Sequence, residues 1–260
     1  MKTILFTGAR SGIISKVIDD IIDLNYYIYI TVHTDSELIS VQKKYVDKKN
    51  ISCFKLDITD KNDFEKLKNL KIDVLVSNAA YGESGSMVEI NMDKVRNNFE
   101  TNVFSNFEIV QIILKGMIAR KEGKIIMMGS LGGIIPMPFL GSYSATKASI
   151  IKMTEALNLE LKLLEVNINV SLILPGLYNT GFNELMFDKK YDFMEIDSYF
   201  KRQIELIRKS ENFVLNFFQK KNLNSIVKKI VKAIETEKPK FTYKAPIAQV
   251  VFSKVYSLFM

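Results

Sequence analysis

The chain is poor in several residue types that mark particular classes of protein. It has 260 residues but a single cysteine, Cys53, which excludes an internal disulfide and fits a reducing compartment. Gln111, Lys115 and Lys254 interrupt the most apolar stretches, so that none reaches the roughly 18 residues expected of a membrane-spanning helix. The N-terminal sequence MKTILFTGA has too short an apolar run for a signal peptide. We therefore expect a cytoplasmic protein.

Charge and composition restrict the function further. Lys and Arg number 36 against 29 Asp and Glu, which gives a formal net charge of +7. The lysines are spread along the chain instead of forming a cluster, so we expect no nucleic-acid partner. Hydrophobic residues make up 47% of the chain, enough for a sizeable core. We find no internal repeat and no linker, which predicts one domain over residues 1–260.

Short apolar runs alternate with segments of helical periodicity. Strands are predicted at Lys2–Thr7, Tyr26–Val32, Ile51–Lys55, Asp73–Ser77, Ile125–Met128 and Ile168–Leu174. Helices are predicted between them, including one long helix over Met92–Arg120. The alternation predicts an α/β fold, a Rossmann-like doubly wound parallel sheet with helices on both faces.

The stretch from Lys124 to Lys152 carries the strongest chemical signal. Ser130 follows a predicted strand, and Tyr143 and Lys147 lie four residues apart in the next helix, on one face. A tyrosine has a pKa near 10, and a nearby ammonium lowers it by about 1–3 units, closer to the value that a general acid or base needs. An exposed surface pair explains the same spacing, but its place after a strand-terminal serine favours catalysis.

Several small or polar residues stand where predicted strands end. They are Gly8, Asp57, Asn78, Ser130 and Pro175. In a parallel sheet such residues meet at one edge, where ligands bind near the reversal of strand order. The glycine-rich turn after the first strand suits a pyrophosphate at a helix N-terminus. A tight turn without a ligand explains its two glycines equally well.

Together these motifs resemble the short-chain dehydrogenase/reductase family, in its compact branch. The resemblance spans about Thr3 to Thr180 and weakens beyond. It is carried by the glycine-rich turn Thr7–Ile14, the turn Asn78–Ala80, the serine, tyrosine and lysine above, and Pro175-Gly176 with Thr180. The segments SNAAYGESG, PFLGSYSATKAS and KPKFTYKAP are most similar to members related to 17β-hydroxysteroid and retinol dehydrogenases.

The resemblance implies an NAD(P)(H)-dependent oxidoreductase that interconverts a hydroxyl and a carbonyl group on a lipophilic small molecule, with Tyr143 as general acid/base. The implied catalytic residues are Asn102, Ser130, Tyr143 and Lys147. Asn102 would hold a water in a proton relay. The implied cofactor-binding residues are Gly8, Arg10, Ser11, Gly12, Ile13, His33, Asp57, Ile58, Asn78, Ala79, Tyr143, Lys147, Pro175, Gly176 and Thr180. No metal is expected. The alternative is a catalytically weak nucleotide-binding or scaffold protein of the same fold.

The end of the second strand bears on the choice of cofactor. NAD-binding relatives carry an acid there, whereas this chain has Val32, followed by His33. His33 and Arg10 are potential donors to a 2′-phosphate, so we expect NADP(H) to be preferred over NAD(H). Asp35 and Glu37 lie close by in the sequence and oppose that preference.

Ile14 departs from the family pattern, which has a small residue at this position. A branched side chain there is expected to hold the helix away from the first strand and to weaken cofactor binding without abolishing it. Replacing Ile14 by Gly should then tighten binding.

Two further segments have expected roles. Residues 178–224 mix Phe and Met with charges and are expected to form a substrate lid, or else helices that bury an ordinary core face. Residues 245–260 form an apolar tail that is expected to pack on a partner or to touch a membrane surface. The resemblance also implies a homodimer or homotetramer.

Overall fold

The computed structural model describes residues 1–10 and 12–256, and these form a seven-stranded sheet. Its strands are β1 (Lys2–Phe6), β2 (Tyr26–Val32), β3 (Ile51–Lys55), β4 (Val74–Ser77), β5 (Glu122–Met128), β6 (Asn167–Pro175) and β7 (Thr242–Ala245). Their order across the sheet is β3-β2-β1-β4-β5-β6-β7. Every neighbouring pair is parallel. The expected fold class is confirmed.

Helices connect the strands. They are α1 (Gly12–Ile21), α2 (Asp35–Lys44), α3 (Glu65–Lys68), α4 (Met92–Phe99), α5 (Ser105–Arg120), α6 (Gly141–Leu163), α7 (Phe182–Asp188), α8 (Tyr191–Met194), α9 (Ile204–Phe218), α10 (Asn224–Glu235) and α11 (Ile247–Tyr256). A 3₁₀ turn over Lys61–Phe64 precedes α3, and Asp60 caps it by accepting a hydrogen bond from the Asn62 N–H. Within the described residues, no helix has the length and apolar character needed to cross a bilayer.

The sheet is covered on both faces. One apolar cluster joins alternate residues of β1 and β2, such as Ile4 and Ile28, to α1 and α10. The other joins residues that point to the opposite face of the sheet, such as Leu5 of β1 and Leu75 of β4, to α5 and α6. Because successive side chains of a strand point to opposite faces, a strand buried on both sides is a continuous apolar run, as in β4.

The predicted helical stretch over Met92–Arg120 is observed with both bounds, as α4, a π-helical segment at Glu100–Phe104 and α5. Strand β7 was missed, because it has only four residues and lies between prolines, where the apolar pattern is too short to identify. The tail begins with the last residue of β7, continues as α11, and has its residues 257–260 outside the described part.

The order of strands reverses between β1 and β4, which lie side by side in the sheet. Chain connections leave these two strands in opposite directions, so a crevice opens at their carboxyl ends. The loops that follow them contain the glycine-rich turn and the Asn78 turn. The fold therefore puts both predicted cofactor motifs at the switch point.

Candidate active site

Hydrogen bonds hold together the two loops at the switch point. The buried Thr7 hydroxyl accepts hydrogen bonds from the backbone N–H of Asn78, at 2.9 Å, and of Ala79, at 3.1 Å. In return, Asn78 Nδ2 donates to the Gly8 carbonyl at 2.9 Å. These bonds fix the two loops relative to each other at the floor of the crevice.

The glycine-rich turn requires glycine at two positions. Gly8 and Gly12 have φ angles of +61° and +67°, in the left-handed region that glycine adopts without strain. A Cβ at Gly8 would lie 2.7 Å from the Ala79 Cα, and one at Gly12 would lie 3.2 Å from the Thr180 Cβ. The turn thus brings backbone close to both neighbours. Ser11 lies outside the described residues.

Ile14 points into the core. Its side chain is buried among residues that include Ile4, Val17 and Ile18. The expected orientation, toward the first strand and its neighbours, is therefore observed. The effect of this side chain on cofactor affinity stays a prediction.

The donors expected to recognise a 2′-phosphate are each paired with an acid. Arg10 Nη1 lies 3.1 Å from Glu37 Oε1, and His33 Nε2 lies 3.3 Å from Asp57 Oδ2. Glu37 Oε2 also accepts the backbone N–H groups of His33 and Thr34, which completes the capping box of α2. All four ionisable side chains line the cavity, so this end of it has charges of both signs.

Asp57 retains its negative charge. Burial acts to raise its pKa, but hydrogen bonds from the Thr59 backbone and hydroxyl and the nearby His33 outweigh burial and lower the pKa overall. Its Oδ1 accepts both Thr59 groups, at 2.9 and 2.7 Å. The carboxylate is therefore available as an acceptor beside the cavity.

Ser130, Tyr143 and Lys147 line the same cavity, as expected. Ser130 follows β5, and its Oγ accepts the Gly132 N–H at 3.0 Å. The buried Lys147 Nζ donates to the Met128 carbonyl at 3.0 Å and lies 5.7 Å from the centre of the Tyr143 ring. The phenol ring packs against Phe182 at 5.9 Å between centroids.

The pKa of Tyr143 is shifted opposite to our expectation. Burial raises it to about 12, while a hydrogen bond to Ser130 acts in the other direction. Burial also lowers the pKa of Lys147 to about 8. Lys147 does not offset these shifts, because its ammonium bonds to the Met128 carbonyl and lies beside the tyrosine ring. Desolvation therefore sets the direction of the pKa shift in both groups. Near neutral pH the phenol is therefore protonated, and Lys147 is mostly charged.

Asn102 lies in the π-helical segment and is fully buried. Its Oδ1 accepts the Tyr81 N–H at 2.7 Å, and its Nδ2 donates to the Tyr81 carbonyl at 2.8 Å and to Thr146 Oγ1 at 3.1 Å. The side chain connects the Tyr81 loop to the helix that carries Tyr143. These bonds give Asn102 a positioning role, and its expected part in holding a water stays a prediction.

Seven other predicted cofactor residues line the same cavity. They are Ile13, Ile58, Asn78, Ala79, Pro175, Gly176 and Thr180. Ile58 is buried, and Thr180 packs on Gly12 as described above. The predicted set, apart from Asn102 and the undescribed Ser11, surrounds one space.

Gln249 was missed by sequence reasoning. Its Oε1 accepts the Leu177 N–H at 2.7 Å, and its Nε2 donates to the Phe218 carbonyl at 2.6 Å. It thereby links α11, the turn after Pro175-Gly176 and the end of α9. Gln249 and Leu177 are 72 positions apart in the sequence, so no local pattern predicts their hydrogen bond.

The cavity has a volume of about 850 Å³. Among the described residues, the basic and acidic side chains that line it are Arg10, His33, Glu37, Asp57 and Lys147. The first four follow β1, β2 or β3, at the switch-point end of the cavity, and Lys147 belongs to α6. The opposite end is lined by apolar and aromatic side chains, among them Leu140, Met186, Phe187, Val214, Phe218 and Phe252.

The switch-point end fits a nicotinamide dinucleotide. Backbone approaches closely at Gly8 and Gly12, and a Cβ at Gly8 would collide with the neighbouring loop. The first turn of α1, which begins at Gly12, has N–H groups without partners inside the helix, as pyrophosphate binding requires. Asp57 supplies an acceptor for the far end of such a molecule.

The short chain dehydrogenase family model matches residues 2–190. The chain is 30% identical over 259 residues to a 3-ketodihydrosphingosine reductase from Bacteroides thetaiotaomicron, with 97% of this chain and 91% of that protein covered. It is 27% identical over 246 residues to the probable short-chain type dehydrogenase/reductase VdlC from Helicobacter pylori, with coverage of 92% and 86%. The chain belongs to the short-chain dehydrogenase family.

Solved structures agree on the fold. A short-chain dehydrogenase/reductase from Burkholderia phymatum in complex with NAD has a TM-score of 0.83 at 18% identity, covering 99% of this chain and 93% of that one. A short-chain dehydrogenase from Sphingobium yanoikuyae in complex with NADPH has a TM-score of 0.75 at 18% identity, covering 100% and 95%. Family membership makes the protein an NAD(P)(H)-dependent oxidoreductase acting on carbonyl or alcohol groups. The nearer likeness to 17β-hydroxysteroid and retinol dehydrogenases stays a prediction.

Proposed function

We propose that the protein interconverts a ketone and a secondary alcohol on an apolar small molecule, using NADP(H), with Tyr143 as general acid/base. The observation that carries this proposal is the location of Tyr143. The phenol lies in a cavity that is charged at the switch-point end and apolar at the other. A reactive carbonyl bound in the apolar end would lie against the phenol.

The protonated phenol suits carbonyl reduction. With its pKa raised to about 12, Tyr143 has a proton to donate at neutral pH. A nicotinamide bound at the switch-point end would supply the hydride for the carbonyl carbon. Tyr143 donates its proton to the carbonyl oxygen, and the Ser130 hydroxyl orients that oxygen by a hydrogen bond. In the reverse direction the phenolate removes the proton of the alcohol.

Lys147 stabilises the phenolate that remains after proton transfer. Its charge lies near the ring, in a site where burial weakens competition from water. The Met128 carbonyl holds the ammonium in place. We also assign Lys147 a bond to the cofactor ribose, as the family resemblance implies.

NADP(H) is favoured by Arg10 and His33, which line the switch-point end of the cavity. The Arg10 guanidinium is 56% exposed and its pair with Glu37 is solvated, so the pair is worth only about 0–1 kcal/mol. A 2′-phosphate can therefore compete for it. Glu37 and Asp57 act against the phosphate, so the expected preference is modest.

The substrate end favours a lipophilic molecule. Its lining is apolar, and segment 178–224, which we propose as the lid, contributes Phe182, Met186 and Phe187. The 3-ketodihydrosphingosine reductase from Bacteroides thetaiotaomicron, similar over nearly the whole chain, acts by its name on a ketone of a lipid. Both observations favour a lipophilic substrate.

Fluorescence titration of the purified protein with NADPH and NADH, followed by NADPH oxidation with a panel of apolar ketones, tests the proposal. We expect tighter binding of NADPH and turnover of at least one ketone. Binding without turnover of any ketone would favour the alternative, a scaffold protein of the same fold. A lower dissociation constant for NADH would reverse the cofactor preference.

We also propose a homo-oligomer, formed through the outer face of α6. Leu159 and Leu163 are one turn apart there and largely exposed, as is Phe104 in the adjacent π-helical segment. Exposed apolar groups of this size mark interaction surfaces. Light scattering after gel filtration should give a dimer or tetramer, and Leu159→Glu should shift it toward monomer. A monomeric parent protein would contradict the proposal.

Peripheral membrane contact through the tail is the last part of the proposal. Ile247, Val251 and Val255 form an exposed stripe at i, i+4 spacing along α11. Such a stripe suits an interfacial helix. Sedimentation with anionic vesicles should deplete the protein from solution, and Val251→Glu should reduce this. Absence of the parent protein from the vesicle pellet would exclude the contact.

A further inference from the structure

The apolar end of the cavity reaches the surface between α9 and α11. Phe218, from the end of α9, lines the cavity while 36% exposed, and Phe252, from α11, lines it while 52% exposed. A side chain that is exposed both to a cavity and to solvent lies where the cavity opens to the surface. We call this opening, beside Phe218 and Phe252, the mouth. This mouth is separate from the switch-point end, where Arg10 and His33 reach solvent.

Aromatic rings form a wall along this mouth. The ring of Phe218 lies 6.0 Å from that of Phe252, which lies 5.9 Å from that of Tyr256. On its outer side, Phe218 also contacts Phe217 at 6.0 Å. Ring contacts at such separations are favourable, so the wall has a defined shape although much of it is exposed.

Gln249 fixes the spacing of the two helices that form the mouth. Its bonds to the Phe218 carbonyl and the Leu177 N–H attach α11 both to α9 and to the turn after β6. The opening therefore cannot widen without the loss of these bonds. The rings of Phe218, Phe252 and Tyr256 each line the cavity and are partly exposed, and together they offer an extended apolar face that suits a linear hydrocarbon chain.

The mouth has no charged group in its lining among the described residues. Lys189, a cation of the lid, is directed elsewhere: its Nζ donates to the Gly82 carbonyl at 2.7 Å and lies over the Tyr81 ring. An anionic tail in this lining would be costly to desolvate, so the lining suits a neutral tail.

We infer that the row of rings Phe218, Phe252 and Tyr256 is one wall of a binding subsite for the unbranched hydrocarbon tail of the substrate, whose carbonyl lies at Tyr143. The substrate class is therefore single-chain aliphatic ketones and alcohols, with the tail reaching the surface. This inference rests on the proposed ketone chemistry. Besides the contact of the carbonyl with Tyr143, it gives the substrate a second contact region, for its tail, and it predicts a preference for long, linear chains.

The chain contains no tryptophan, so a single introduced indole reports on the mouth directly. We would compare Phe252→Trp with the matched control Phe217→Trp, whose parent side chain is 75% exposed and does not line the cavity. Each is titrated with n-decanol and with n-butanol. A saturable blue shift is expected for the Phe252→Trp protein with n-decanol only. An equal response of both variants, or no response of either, would overturn the subsite.

Kinetics separate this inference from the proposed function. With NADPH, kcat/KM should rise from methyl ethyl ketone to methyl octyl ketone by about fourfold for each methylene that enters the site, since burial of one is worth about 0.8 kcal/mol. The double variant Phe218→Ala, Phe252→Ala should lower the ratio of long-chain to short-chain kcat/KM by about tenfold, and Phe217→Ala should keep it.

The outcomes are distinguishable. No turnover of any ketone, with NADPH still bound, would sink the proposed function, and the fluorescence comparison would still judge the subsite. Turnover with no dependence on chain length would overturn the subsite alone. An unchanged ratio in the double variant would do the same.

Discussion

The two ends of the cavity are built in different ways. The switch-point end consists of backbone and of hydrogen bonds between loops, such as those from Asn78 and Ala79 to Thr7. The substrate end consists of side chains from α7, α9 and α11 that make mostly apolar contacts. A turn built from backbone needs particular residues at particular positions, whereas an apolar wall needs only residues of suitable size. The switch-point end can therefore be recognised in the sequence as a motif, whereas the substrate end cannot.

Tyr143 lies where the two ends meet, and replacing it gives the largest expected effect. Tyr143→Phe removes the proton donor and keeps the ring that packs on Phe182. We expect carbonyl reduction to fall by about 10²–10⁴, with NADPH binding nearly unchanged. Steady-state rates and a fluorescence titration on the same preparation check both halves of this prediction. More than half the parent activity would refute the mechanism.

The pH dependence should follow Lys147, which also lies at the junction. Its pKa, lowered to about 8 by burial, means that it loses its charge as pH rises past that value, while Tyr143 stays protonated. If the charge stabilises the phenolate, kcat/KM for reduction should fall by about tenfold per pH unit above pH 8. A flat profile to about pH 10 would show that the charge is not needed.

Unfolding does not explain such a fall. Between about pH 8 and the ordinary lysine pKa, the unfolded chain binds a proton at Lys147 that the folded chain does not, so the contribution of this group to stability rises with pH. Activity and this contribution should therefore change in opposite directions. Circular dichroism across the same pH range provides the control.

Much of the fold and of the switch-point end was predictable from the sequence. Strand Tyr26–Val32 was located to the residue, because it is an unbroken run of aromatic and β-branched residues, which favour strands. Gly8, Ser130, Tyr143 and Lys147 come together as expected, since strand ends of a parallel sheet meet at one edge.

What the sequence left open depends on contacts distant in the chain. The pairing of Arg10 with Glu37 and the engagement of the Asn102 amide with Tyr81 are set by how loops pack. The raised pKa of Tyr143 depends on burial, which the four-residue spacing from Lys147 does not reveal. No sequence pattern indicated that Gln249 links α11 to α9 and to the turn after β6. These are properties of tertiary packing.

Glu37 tests how charge acts at the switch-point end. Glu37→Gln removes the negative charge next to Arg10 but keeps an acceptor for the α2 cap. One unit charge at partly solvated distances is worth about 1.4 kcal/mol, so the preference for NADPH over NADH should rise about tenfold. Asp35→Asn is the control, since Asp35 pairs with Lys55 and does not line the cavity. An equal shift in both variants would point to a general charge effect.

Ile14 gives the smallest expected change in affinity, and it separates backbone approach from core packing. The side chain fills the core beneath the glycine-rich turn, so Ile14→Gly leaves a cavity and destabilises the fold by about 2–5 kcal/mol. It also lets the helix N-terminus come closer to a pyrophosphate, which should tighten NADPH binding about fivefold. Ile18→Gly is the matched control, one turn further along α1 and equally buried. It should lose similar stability, measured by thermal unfolding, without gaining affinity. Unchanged or weaker NADPH binding by Ile14→Gly would mean that the turn already accommodates the isoleucine, and that backbone approach at this end is not limited by it.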